Sequence, residues 1–322
     1  MLKFISALLA ALCCVGGAQA ADAYPNHTIT LIVSAPPGST PDAGARAVAQ
    51  WMSEDLGQPV VVENRPGANG IIAAQAVTQN PADGYTLLVA PSSTMTINPH
   101  IYKKQAAMIL TDFTPVGKIY STDFCLIVRP DSGINTVADL INKAREKPGA
   151  LVAANGGPGS ASQMAIELLK QQAGVDLYQV PFNNSPAGAL AVAAGNADLL
   201  IETRTATEPF VSSGRVKRIA MTGAQRTEMF PGLPTVSESG VPGYEISAWG
   251  GMFTRKSVPP ERLARLSQAL ARALARPEMQ TSLRNVGLTV GSADRAQFER
   301  QWQDESKRWA DVVARTPGLQ TN

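Results

Sequence analysis

Residues 28–56 read TITLIVSAPPGSTPDAGARAVAQWMSEDL, and three kinds of local order follow one another in them. Thr28 to Ser34 is apolar and β-branched, as in a strand covered on both faces. Pro36-Pro37-Gly38-Ser39 breaks that run with turn residues. From Pro41 to Leu56, Val48, Trp51, Met52 and Leu56 recur at helical spacing, with Thr40 as N-cap and Pro41 at the first helical position. A buried strand passing through a short loop into an amphipathic helix is the opening of a βαβ unit.

The alternation continues downstream. Strands are expected at residues 60–62, 86–90, 124–128, 151–154, 177–180, 199–203 and 216–221, and helices at 71–79, 137–147, 160–173 and 187–194. Short connections between them imply right-handed crossovers, hence an α/β protein with mostly parallel sheets flanked by helices. The last third reads as helices over 260–276, 277–286 and 293–316, punctuated by prolines. Chain cuts near 119–124 and 244–249 would leave a first domain of residues 21–121 and 247–322. A second domain, 122–246, is then inserted in it, and two connecting strands form a hinge.

The chain has 322 residues, 44% hydrophobic and 17% charged, with 27 glycines and 23 prolines. That suits a folded, loop-rich protein of about two domains. A net charge of +2 without a long basic run gives no electrostatic case for nucleic acid. Lys3, the apolar run from Phe4 to Val15 and the small-x-small triplet Ala18-Gln19-Ala20 read as a secretory signal over residues 1–20. Leu12 and Cys13 stand where a lipoprotein signal needs a small residue, so a soluble exported form is expected. Removal of the signal leaves Cys125 as the last of three cysteines. A lone thiol forms no intrachain disulfide, and its apolar neighbours mark it as a buried small hydrophobe.

In open α/β sheets ligands sit beyond the carboxyl ends of strands. Three groups of loops fall there. Pro37, Gly38, Ser39, Thr40 and Asp42 form either an anion cradle at a helix start or an ordinary capped helix. Gly157, Gly159 and Ser160 have part of the spacing of a dinucleotide fingerprint. Ser162 stands at its third glycine, and no acid ends the next strand, so a small anion fits better than a nucleotide. Asn69, Ser92 and Ser93 offer neutral hydrogen bonds or simply turns. There is no Gly-x-Ser-x-Gly, P-loop, His-Glu-x-x-His or paired-cysteine spacing. His27 and His100 stand in separate segments and read as surface or capping residues. No catalytic residue, metal ligand or cofactor is expected.

Several ordered segments resemble one family. They are Tyr24-Pro25, the Pro36 to Asp42 loop, Val62-Glu63-Asn64-Arg65-Pro66-Gly67-Ala68 and Asp83-Gly84-Tyr85-Thr86-Leu87-Leu88. Further on come Gly214-Arg215-Val216, Pro234-Thr235-Val236-Ser237-Glu238, Gly240-Val241-Pro242-Gly243-Tyr244 and Trp249-Gly250. Together they resemble the Bug-type periplasmic solute-binding proteins of tripartite tricarboxylate transporters. The resemblance implies a two-domain Venus-flytrap fold, a small carboxylate held largely by backbone amides, delivery to membrane permease subunits, a monomer, and no catalysis. It carries Gly38, Ser39, Thr40 and Asp42 onto the first-domain signature. Gly157, Gly159 and Ser160 fall on the second-domain anion loop, and Phe182, Asn183, Asn184 and Ser185 on the segment facing the ligand.

The departures sit where specificity is read. Ser39 replaces the second glycine of a common pair, and Gln163 stands where histidine is frequent. Phe182 replaces a common tyrosine, and Asn183-Asn184 a common Lys-Gly. These imply a less polar wall and an aromatic or longer-chain mono- or dicarboxylate. Glu202, Thr203 and Arg204 end a strand at the cleft. Arg204 either grips a second carboxylate bidentately or is a solvated surface residue. Two other readings keep the same residues: a receptor presenting its ligand to a signalling partner, and an exported α/β enzyme.

Overall fold

The computed structural model describes residues 24–227, 230–316 and 318–319. Residues 1–20, expected as a signal, lie outside them. The chain opens with β1 (Ile29–Val33), α1 (Thr40–Leu56), β2 (Val60–Asn64), α2 (Ile71–Thr78) and β3 (Thr86–Pro91). β1 lies between β2 and β3 and pairs parallel with both, as its unbroken apolar run anticipates. α1 ends where Gly57 takes the left-handed conformation at φ 67°.

A π-helical turn at Ser93–Ile97 leads into α3 (Asn98–Ile101), α4 (Lys103–Thr111) and the long β4 (Phe113–Val128). A second α/β series follows: α5 (Val137–Glu146), β5 (Val152–Asn155), α6 (Ala161–Ala173), β6 (Tyr178–Pro181), α7 (Ser185–Ala194), β7 (Leu199–Thr203), α8 (Arg204–Ser212) and β8 (Lys217–Met221). The chain closes with β9 (Ser247–Arg255), α9 (Pro260–Ala275), α10 (Pro277–Asn285), β10 (Thr289–Val290) and α11 (Arg295–Ala314).

The strands run in the order β2-β1-β3-β9-β4-β7-β5-β6, with β8 and β10 also paired to β4. Pairing is parallel within each βαβ series and antiparallel wherever β4 or β9 takes part, so the sheet is mixed. β4 binds β9 through Asp123 and then, from Phe124 onward, β7 and β8. That switch of partner divides the sheet into a first half (β1, β2, β3, β9) and a second half (β5, β6, β7, β8).

Neither β9 nor the first part of β4 carries a clean strand pattern. Pro115 and Gly117 interrupt β4, and the register slips between them, which is how a strand tolerates such residues. Gly250 and Gly251 interrupt β9 because the Tyr120 and Phe298 rings lie on them. A Cβ would stand 2.2 Å from Tyr120 at Gly250 and 2.6 Å from Phe298 at Gly251.

Each half has apolar layers on both faces. Leu31, Val48, Met52 and Leu270 pack on one face of the first half, Ile32, Phe253, Phe298 and Trp302 on the other. In the second half Leu126, Leu140, Ile166 and Leu199 pack on one face, Val192, Leu200 and the fully buried, free Cys125 on the other. α11 belongs to both halves: Phe298 and Trp302 join the first-half core, Trp309, Val312 and Val313 the second. Among the described residues no helix is long and apolar enough to cross a membrane.

Candidate functional site

A cleft of about 670 Å³ opens between the two halves of the sheet. Its first-half wall comes from the β1–α1 loop (Pro37, Gly38, Ser39, Thr40), the turn after β2 (Asn69) and the residues after β3 (Ser92, Ser93). Its second-half wall includes Ser160 before α6, Asn184 before α7, and Thr203 at the end of β7. These ten residues, all expected from the sequence, meet in one place although they span 167 positions from Pro37 to Thr203. The cause is topological: strand ends of both halves point inward, and each is followed by a helix start.

The other six expected residues lie outside the wall. Asp42 is buried beneath the first loop, where its carboxylate accepts the N–H of Gly38 at 2.9 Å, Nδ2 of Asn64 at 2.9 Å and Nε of Arg46 at 3.0 Å. Burial alone would push this carboxyl up, but those hydrogen bonds outweigh it and hold it below its ordinary value. Asp42 therefore shapes the loop. The N-cap is Ser39, one residue earlier than expected, and its hydroxyl donates to the carbonyl of Pro36 at 2.6 Å instead of capping the helix.

Gly157 and Gly159 donate their N–H groups inward, to Oδ1 of Asn155 and Oε1 of Gln163, each at 2.8 Å. Phe182 turns into the apolar layer with Val192 and Leu200, and Asn183 is exposed. The less polar wall comes instead from Tyr120, Phe124 and Trp249. Arg204 runs back along α8, pairing with Glu208 at 2.9 Å and lying 5.7 Å from the Phe230 ring. Of the histidines, His27 stacks on Tyr85, and His100 bonds to Ser306 at 2.9 Å.

The first turns of four helices line the cleft: Thr40 and Pro41 of α1, Ala161 and Ser162 of α6, Ser185 and Pro186 of α7, Thr205 and Ala206 of α8. No lysine or arginine stands among the described lining residues. Positive potential therefore comes from helix ends, each worth about 0.3–1 kcal/mol toward an anion. The ionisable side chains in the wall are Tyr120, whose phenol burial pushes up, and Glu202. Burial pushes the Glu202 carboxyl up as well, against hydrogen bonds from Ser185, Thr203 and Ser162. Glu202, which its strand-end position in the sequence already put at the cleft, is thus a buried acid in the wall.

The two walls also touch. The side-chain amide of Asn69 and the hydroxyl of Tyr102 both donate to the carbonyl of Pro158, the latter at 3.2 Å. Asn69 holds a left-handed backbone at φ 50°, braced by Thr94 Oγ1 and Asn98 Nδ2, which donate to its carbonyl at 2.8 and 2.6 Å. Strain maintained by its surroundings at a cleft edge suits a clamp.

Residues 44–317 match the family described as "Tripartite tricarboxylate transporter family receptor". Among similar proteins is the protein BugT of Bordetella pertussis, 31% identical, with 92% of this chain and 91% of BugT covered. Two solved structures from Rhodopseudomonas palustris are also similar. Rpa4515 with adipate has a TM-score of 0.82 at 33% identity, covering 90% of this chain and 97% of its own. MatC with bound malate has a TM-score of 0.80 at 29% identity, covering 90% and 100%.

Proposed function

The chain belongs to the family of tripartite tricarboxylate transporter receptors, and on that premise we propose that it is a periplasmic receptor without catalytic activity. It captures a small carboxylate between two domains divided near Phe124 and Ser247 and hands it unchanged to membrane permease subunits. The observation that carries this reading is the cleft wall: four helix first turns and no lysine or arginine among the described lining residues. Such a site attracts one negative charge through helix ends alone. Tyr120, Phe124 and Trp249 support a ligand with an apolar body, either aromatic or longer-chain. The similarity to structures described with adipate and with malate supports the same class.

Thermal-shift measurements on matched pairs of free acids and their methyl esters test the reading. An acid at one hundred times its Kd stabilises the native state by about 2.7 kcal/mol, and its fully esterified partner leaves the melting temperature unchanged. Equal response to acid and ester contradicts a carboxylate receptor.

A further inference from the structure

The floor of the cleft is built by β4 and β9 side by side, with Tyr120 opposite Gly250 and Thr122 opposite Ala248. Tyr120, Thr122, Phe124, Ala248 and Trp249 all line the cleft. Tyr120 is 2% exposed, and its ring lies where two glycines leave room. A Cβ at Gly44 of α1 would stand 2.7 Å from Cε1 of that ring, and one at Gly250 would stand 2.6 Å from its oxygen. Gly44 lies about one turn into α1 from Thr40, so the ring packs on the helix whose start lines the first-half wall.

Packing accounts for the ring and leaves the oxygen unexplained, since phenylalanine would cover Gly250 equally well. Among the described residues nothing hydrogen-bonds to Tyr120 Oη, and the atom is not sealed in the core: it opens on the cleft. Its neighbours on the floor have no such free donor. Trp249 gives its N–H to Glu305 at 2.8 Å, Thr122 turns its hydroxyl to the carbonyl of Asp123 at 3.4 Å, and Phe124 and Ala248 carry none. Burial pushes the Tyr120 phenol up, so the hydrogen stays on the oxygen at neutral pH. A buried hydroxyl without a partner costs free energy, and this one faces the space that a ligand fills.

Resting on the carboxylate reading above, we infer that Tyr120 is a ligand-binding residue whose hydroxyl donates directly to a carboxylate oxygen of the captured acid. The carboxylate lies between the start of α1 and Tyr120, with the apolar body of the ligand along Phe124 and Trp249. A carboxylate has about four lone-pair sites, so it accepts from Tyr120 as well as from the backbone and hydroxyl donors of the first-half wall. Tyr120 selects acids that reach the floor: a neutral O–H adds a charge-assisted hydrogen bond without adding a cation.

Tyr120→Phe removes the oxygen and keeps the ring. Calorimetric titration compares the native and variant chains over straight-chain mono- and dicarboxylates of four to eight carbons, benzoate and terephthalate. Without ligand, the variant is expected to melt no lower than the native chain. It should bind each acid that the native chain holds at least about tenfold more weakly, as loss of a hydrogen bond to a charged group implies. A crystal structure of the native chain with its tightest acid needs no variant, and it should show Tyr120 Oη within about 3.0 Å of a carboxylate oxygen.

An Oη that meets only water or an apolar part of the acid overturns the inference and leaves the carboxylate reading standing. So does a folded Tyr120→Phe whose affinities stay within about threefold of native. Failure of every acid in the set to bind the native chain overturns the carboxylate reading, and this inference falls with it.

Discussion

Glu208 shows how one side chain can redirect another. It accepts from Arg204 at 2.9 Å, Arg218 at 2.7 Å and Ser212 at 2.8 Å, and the Phe230 ring lies near both guanidiniums. Burial pushes its carboxyl up, but the hydrogen bonds from Arg204, Ser212 and Arg218 outweigh that and bring it to about 2, against an ordinary 4.5. The sign follows: a carboxyl depressed in the fold contributes stability that is present above pH 4.5 and is lost as pH falls toward about 2. Glu208→Gln should therefore lower the urea midpoint at pH 7 and lose less stability than the native chain between pH 4.5 and pH 2.5. Parallel curves would contradict the assignment. The same cluster explains why Arg204 could not be placed from sequence: Glu208 stands four positions on, and an i,i+4 pair on a helix competes with a reach into the cleft. Glu208 lies outside the strand-end pattern that drew attention to Arg204. Pro37, Gly38, Ser39 and Thr40 were legible because a helix start announces itself locally, whereas the buried place of Asp42 beneath them was not.

At the scale of elements, the turn before α6 meets the first half through a carbonyl. Pro158 accepts from Asn69 and Tyr102, and the next residue, Gly159, has φ +75° with Asn98 Oδ1 2.8 Å from where a Cβ would sit. Asn69 Nδ2 and Tyr102 Cε2 are 3.0 and 3.2 Å from the same point. A side chain at Gly159 thus strains the backbone and strikes the clamp, although the glycine lies outside the cleft wall. Gly159→Val is expected to hold the walls apart and weaken binding of an acid that stabilises the native chain by about tenfold or more, chiefly through faster release. Stopped-flow dissociation kinetics check it, and an unchanged release rate would show that the clamp plays no part in retention. Sequence placed nearly all the strands and helices of the βαβ series within a few residues, since their apolar runs are local signals. β9 and the first part of β4 escaped because Gly250, Gly251 and Pro115 look like breakers. Their purpose appears only when the Tyr120 ring is laid across β9 and the register slip in β4 is seen.

For the whole molecule, three segments tie the halves: β4, the approach to β9, and α11. Trp302 of α11 donates to the carbonyl of Met95 at 2.9 Å, and Glu305 accepts from Trp249 at 2.8 Å, while Trp309 and Val313 pack in the second-half core. The helix therefore limits how far the walls can separate and keeps Trp249 at the floor of the cleft. Between those walls the field comes from helix starts rather than from charged side chains. The account stands or falls on where an acid settles. A crystal structure of the chain with a calorimetrically verified acid should place a carboxylate oxygen within about 3.2 Å of a backbone N–H or hydroxyl in residues 38–42, 92–93, 160–162, 184–186 or 203–206. No lysine or arginine should touch it. A carboxylate held by a cationic side chain, or seated outside the cleft, would contradict the account.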